Sequence, residues 1–175
     1  MRETVNAPII SGKNTMTDHL QKIGFDELDR AILEELQLNG RISVADLARK
    51  IFLSQPAVHN RIKRLERAGV IEQYVALLNH EIVGYDLMCF VQISIQPHTN
   101  EQITRVEDII TDLPEVQECY RLTGEYHLLL KVVVRNSKAL DRFIADKLTV
   151  IEGMDRVQSS VVMKVLKAET ALSLK

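Results

Sequence analysis

One change of rhythm divides this chain. As far as Gly69 the apolar residues recur every three or four positions; from Leu87 onward they increasingly alternate. A stripe of period 3.6 and a face of period 2 belong to different elements, so a helical unit is followed by a unit containing a sheet. At 175 residues the chain has room for two small domains. In the first, Asp26 caps a helix whose apolar side is Leu28, Ile32, Leu33 and Leu36, and Asn39-Gly40 ends it. Ser43 with Asp46 predicts a capping box for a second helix, with Val44, Leu47, Ala48 and Ile51 inward. Ser54 caps a third, Pro56 sits in its first turn, and Gly69 stops it.

The second unit reads as strand, helix, strand, strand, helix, strand. Residues 87–96 form the first strand, and Thr99 with Gln102 opens a helix with Ile103, Val106, Ile109, Ile110 and Leu113 inward. Residues 116–122 and 127–135 make a hairpin turning at Thr123-Gly124-Glu125-Tyr126. Ser137 opens a helix that Gly153 ends, with Leu140, Phe143, Ile144, Leu148 and Ile151 inward; Val157 to Lys167 is a last strand. That order is the ferredoxin-like βαββαβ unit, and the expected fold class is α+β. Two helices cover one sheet face only, yet HLLLKVVVR and SVVMKV are apolar at odd and even positions alike. The uncovered face predicts self-association.

With 46% hydrophobic and 26% charged residues, the composition excludes a disordered chain and a disulfide scaffold. No apolar run reaches the ~18–20 residues of a membrane helix, and no secretory leader is legible, so a cytoplasmic protein without membrane contact is expected. Cys89 and Cys119 lie in strand-like stretches and read as buried thiols. His19, His59, His80, His98 and His127 are too scattered for a metal motif, and neither metal nor cofactor is expected. Glu125 and Asp155 would suit acid-base chemistry only if brought together, which nothing in the sequence does; no catalytic residue is expected.

The net charge of −2 is unpromising for a nucleic-acid binder until it is resolved along the chain. Residues 26–78 are neutral but polarised, with Asp26, Glu27, Asp29, Glu34 and Glu35 early and Arg61, Lys63, Arg64 and Arg67 late. Local charge decides whether phosphate is attracted. In SQPAVHNRIKRLERAG, an inner face of Val58, Ile62 and Leu65 leaves Pro56, Asn60, Lys63 and Arg67 outward, flanked by His59 and Arg64. With Ser54 and Gln55 at its start, this helix carries what a recognition helix needs. Gln55, His59 and Asn60 can bond base edges; Lys63, Arg64 and Arg67 can neutralise phosphate. Arg61, nearer the apolar border, reaches either phosphate or a carboxylate of the first helix.

Residues 25–78 resemble the winged helix-turn-helix of the leucine-responsive/asparagine-responsive (Lrp/AsnC) transcription regulators. The stretches FDELDRAILEELQLNGRISVADLARKI, RIKRLERAGVIEQYVALLN, VQECYRLTGEYHLLLKV and SSVVMKVLK each resemble family segments, in order, over about residues 25–168. Residues 1–24 show no sustained period, hold Pro8, Gly12 and Gly24, and read as a flexible tail. The resemblance implies a DNA-binding head over 25–78, its helix-turn-helix at about 44–63. A linker over 79–85, a ferredoxin-like regulatory domain over 86–168 and a C-terminal tail over 169–175 then follow. It further implies a sequence-specific regulator of double-stranded DNA that forms dimers and then tetramers or octamers. An effector, such as an amino acid, would bind between dimers at Thr123, Gly124, Glu125, Tyr126 and His127, with Ser159 from the last strand. Where the family usually has aspartate this chain has His127, and Val157 stands at a usual threonine. Histidine is a poor partner for an ammonium group, so the sequence leaves the effector open. Two other readings stay in view: a haem-pathway decarboxylase of similar two-domain fold, and a ligand-binding oligomer without DNA.

Overall fold

A computed structural model of the chain describes residues 24–96 and 99–174. The tail expected over residues 1–24 lies outside them apart from Gly24, as do His19 and His98. Two compact units emerge. One runs up to Ala76 and includes the segment from Glu169 onward; the other runs from Leu77 to Ala168.

The first unit holds α1 (Glu27–Leu38), α2 (Val44–Lys50) and α3 (Gln55–Arg67). A full capping box starts α1: Asp26 accepts from the Asp29 N–H at 2.9 Å and Asp29 from the Asp26 N–H at 3.1 Å. The box expected at Ser43 is only half formed. Ser43 Oγ accepts from the Asp46 N–H at 3.0 Å, but the Asp46 carboxylate accepts from the Ser43 hydroxyl at 2.7 Å instead of from the Ser43 N–H. A hydroxyl, unlike the Asp26 carboxylate, has a proton to give. Ile32, Leu33, Leu47, Ala48, Val58 and Leu65 form the buried core of the unit. Leu174 packs against it, and the Gln37 side chain exchanges two hydrogen bonds with the Leu172 backbone, at 2.6 and 3.1 Å.

Between α2 and α3 the chain reverses through a Schellman-type turn. The Leu53 N–H returns to the Ala48 carbonyl at 3.0 Å, and Phe52 occupies the left-handed region at φ 55°. Residues 72–79, after α3, join no helix and no strand.

The second unit holds β1 (Leu87–Ile95), α4 (Asn100–Thr111), β2 (Val116–Arg121), β3 (Leu128–Val134), α5 (Ser137–Arg142) and β4 (Met154–Val161). The strands pair antiparallel in the order β2-β3-β1-β4. Val91, Ile93, Leu130 and Val132 of the central strands bury against Val106 and Ile110 of α4 and against Phe143 and Leu148. Phe90 and Tyr120 stand on the other face, 37% and 45% exposed.

Four details differ from the sequence reading. Asn136, not Ser137, caps α5, accepting from the Ala139 N–H at 3.0 Å. Beyond Arg142 the helix widens into π geometry over Phe143–Leu148, and the Thr149 N–H reaches back five residues to Ile144. Ile109, expected inward, is 39% exposed, because it stands 100° round the helix from Ile110. The last strand ends at Val161 rather than Lys167: its neighbour β1 starts at Leu87, and the Val162 N–H to Met88 bond is the final rung. No described helix is long and apolar enough to cross a membrane.

Candidate functional site

The α3 helix is held by its inner face. Val58 and Leu65 are wholly buried and Ile62 packs beside them, which turns the opposite face to solvent. Ser54, Gln55, Pro56, His59, Asn60, Lys63 and Arg67 are all exposed. Ser54 Oγ is spent on capping, accepting from the Ala57 N–H at 3.4 Å. The side chains of Gln55, His59 and Asn60 bond to none of the described residues, so their donors and acceptors are turned to water.

The cations divide into two groups. Lys63 makes an exposed pair with Glu66 at 3.1 Å, and Arg67 Nε donates to the Lys63 carbonyl at 3.1 Å. Such surface contacts exchange readily with a stronger anion. Arg61 takes the carboxylate alternative, donating to Asp26 and Asp29 at 2.8 Å each. Arg64, expected among the phosphate-holding residues, donates to Asp29 and keeps 37% of its side chain exposed. Asp29 has no exposed surface. Burial works against ionisation of Asp26, but the Asp29 N–H and Arg61 outweigh it and hold its carboxyl below the ordinary value. Sequence reasoning did not assign Asp29 this role; a carboxylate in α1 facing two arginines more than thirty residues further along the chain leaves no local signal.

In the second unit, the turn from Thr123 to His127 joins β2 to β3, with Gly124 at φ 121°. The His127 backbone closes it. Its N–H donates to the Ile93 carbonyl at 2.8 Å, and its carbonyl accepts from the Leu122 N–H at 2.7 Å. The His127 side chain accepts the Ile95 N–H on Nδ1 at 3.1 Å, at the place where the β1–β4 register shifts. This use of the ring needs the Nδ1 lone pair.

Glu125 pairs with Arg156, and Tyr126 donates its hydroxyl to Gln158 Oε1 at 2.5 Å. Arg156 and Gln158 are two apart on β4 and share a sheet face; sequence reasoning missed both. Ser159, expected with this group, is registered opposite Val91 and so faces the other side of the sheet, apart from Gln158. Asp155 bonds to Ser94 Oγ at 2.8 Å rather than meeting Glu125. Burial raises the Cys89 thiol, and burial followed by the Glu107 charge pushes Cys119 up to about 11. Among the described residues no three His, Cys, Asp or Glu side chains gather as a metal site.

A three-helix head presenting an open polar and basic helix, with a βαββαβ domain after it, defines a DNA-binding transcriptional regulator with its own ligand-binding domain. Residues 25–72 match the winged helix-turn-helix DNA-binding family, and residues 88–172 match the Lrp/AsnC ligand binding domain. The chain belongs to the Lrp/AsnC family. It is 33% identical to the leucine-responsive regulatory protein of Escherichia coli over 162 residues, covering 91% of this chain and 99% of that one. Among solved structures, a transcriptional regulator of Neisseria meningitidis in complex with L-Met superposes with TM-score 0.82 at 35% identity, over 86% of this chain and 97% of that one. An AsnC family regulator of Agrobacterium tumefaciens gives 0.81 at 38% identity, with the same coverage. These matches favour the regulator over the decarboxylase and over an oligomer without DNA.

Proposed function

We propose that α3 enters the major groove with Gln55, His59 and Asn60 towards base edges and Lys63, Arg64 and Arg67 towards phosphates. The observation that carries this is the row of exposed side chains at Gln55, His59 and Asn60, unengaged by the described residues and adjoining Lys63 and Arg67. Two heads are needed to read two half-sites. The sheet face bearing Phe90 and Tyr120 supports pairing of two copies, with tetramers or octamers built from the pairs.

A small metabolite at the Thr123–His127 turn, between dimers, would then favour one assembly and with it one DNA affinity. The neisserial relative in complex with L-Met supports an amino acid or a related compound. The carboxylate of Glu125 and the guanidinium of Arg156, already paired there, supply both charges such a zwitterion would seek. On this reading the protein works in the cytoplasm by binding, not by catalysis, and residues 79–85 link head to regulatory domain.

Fluorescence anisotropy on a duplex from the promoter of its own gene tests the reading. A random duplex, two salt concentrations and a Lys63→Ala/Arg67→Ala double variant, which leaves the Asp29 ion pairs intact, complete the experiment. Promoter preference that weakens with salt and in the variant is expected; absence of binding to either duplex at low salt would overturn it. Methionine and leucine, added to the same titration with sedimentation in parallel, test the effector. If amino acids move neither affinity nor mass, the effector proposal fails.

A further inference from the structure

Phe52 is an aromatic residue where its fold asks for glycine. It follows the C-cap of α2 in a Schellman-type turn, at φ 55°, a conformation that a bulky side chain adopts only under strain. The strain is not offset by packing, since Phe52 is 92% exposed. A glycine would close the same turn without strain and without an aromatic ring in water.

The ring's position suggests what it is for. Phe52 stands two residues ahead of Ser54, the N-cap of α3, and three ahead of Gln55. When a helix-turn-helix docks, the N-terminal half of its second helix enters the major groove, and the turn before it comes to the groove edge. The other groups at that end, Gln55, His59 and Asn60, recognise hydrogen-bond donors and acceptors. The thymine 5-methyl group is a major-groove feature that only an apolar contact reads, and phenylalanine is one of the side chains that read it.

We propose that Phe52 is a specificity-determining residue whose ring packs on the 5-methyl group of a thymine at the leading end of α3. The proposal rests on α3 being the groove helix.

The test begins with a duplex selected from a random library by the full chain. Its thymines are replaced one at a time by deoxyuridine, which removes only the methyl group. Wild type should lose about fourfold in affinity at one thymine of each half-site, the worth of one buried methyl. Phe52→Gly should bind the thymine duplex as weakly as wild type binds the uracil one, and lose nothing further on uracil. The same variant should melt about 2–4 °C higher, showing that the head still folds.

Phe52→Gly that still discriminates thymine from uracil as wild type does would overturn the proposal. So would a change of sedimenting mass with discrimination intact, which would make the ring a contact between copies. Asn60→Ala and Lys63→Ala on the same duplexes separate the two readings. If neither alters binding, α3 is not the groove helix. If both do and the uracil series is flat in wild type, the Phe52 assignment alone fails.

Discussion

Asp29 accepts a hydrogen bond from Arg64 while having no surface of its own exposed, and it takes another from Arg61 at 2.8 Å. The same carboxylate receives the Asp26 N–H, so one side chain both starts α1 and holds α3 against it. Removing Asp29 leaves Arg64 without its carboxylate and Arg61 with Asp26 alone, both guanidinium groups being only partly open to solvent. Asp29→Ala should therefore destabilise the head by about 2–4 kcal/mol, read from urea denaturation of the full chain.

Because Arg61 is already occupied by Asp26 and Asp29, it should release few counterions from DNA. Arg61→Ala is expected to leave the slope of log affinity against log salt nearly unchanged while lowering stability. Lys63→Ala should lower that slope by about one unit on every duplex. Asn60→Ala should instead cost ~1–3 kcal/mol on the selected duplex at one base position and little on random DNA. Equal losses on both duplexes for Asn60→Ala and Lys63→Ala would show that this division between base reading and phosphate holding is wrong.

Cys119 makes the chain sensitive to alkali. Burial first, and the nearby Glu107 charge second, raise its thiol from 9.0 to about 11. A raised folded value means the folded chain keeps a proton that the unfolded chain gives up. The stabilisation is complete below about pH 9 and disappears as the pH approaches about 11. The stability difference between wild type and Cys119→Ala should thus shrink steadily across that window. In the folded chain, thiol reagents at pH 8 should label Cys119 slowly.

The last residues add to the head. Deleting residues 170–175 removes the two bonds between Gln37 and Leu172 and the packing of Leu174. Both bonds are exposed, so a loss of about 1–2 kcal/mol is expected. Gln37→Ala in the shortened chain should then cost almost nothing more, and calorimetry of wild type, each single variant and the combination would expose that coupling.

Helix starts were the most legible part of the fold. Asp26, Ser43, Ser54 and Thr99 each accept the backbone N–H three residues on, because a cap is settled within four residues of sequence. Where two cap-forming residues adjoin, as Asn136 and Ser137 do, pattern alone does not choose between them. The apolar spacing of Leu140, Phe143, Ile144, Leu148 and Ile151 suits an α stripe, and so conceals the wide turn.

In the candidate sites, the exposed face of α3 follows from its inner triplet, whereas anything decided by strand register does not. Ser159 belongs to the far face because it is paired with Val91, and Arg156 meets Glu125 through the same pairing. Asp29 and Phe52 escaped for opposite reasons. One acts across more than thirty residues; the other holds a glycine's conformation without being glycine.

The π segment from Phe143 to Leu148 bears on how this protein can change in length. Losing a residue from an α-helix turns everything after it by about 100° and takes its apolar side off the core. A π turn already carries one residue more than α geometry requires. Excising the exposed Ala145 should let the segment tighten to α while Leu140 before it and Leu148 and Ile151 after it stay seated. The wide turn therefore works as slack in the chain, a point at which evolution or an engineer can shorten the protein by one residue without rewriting its core.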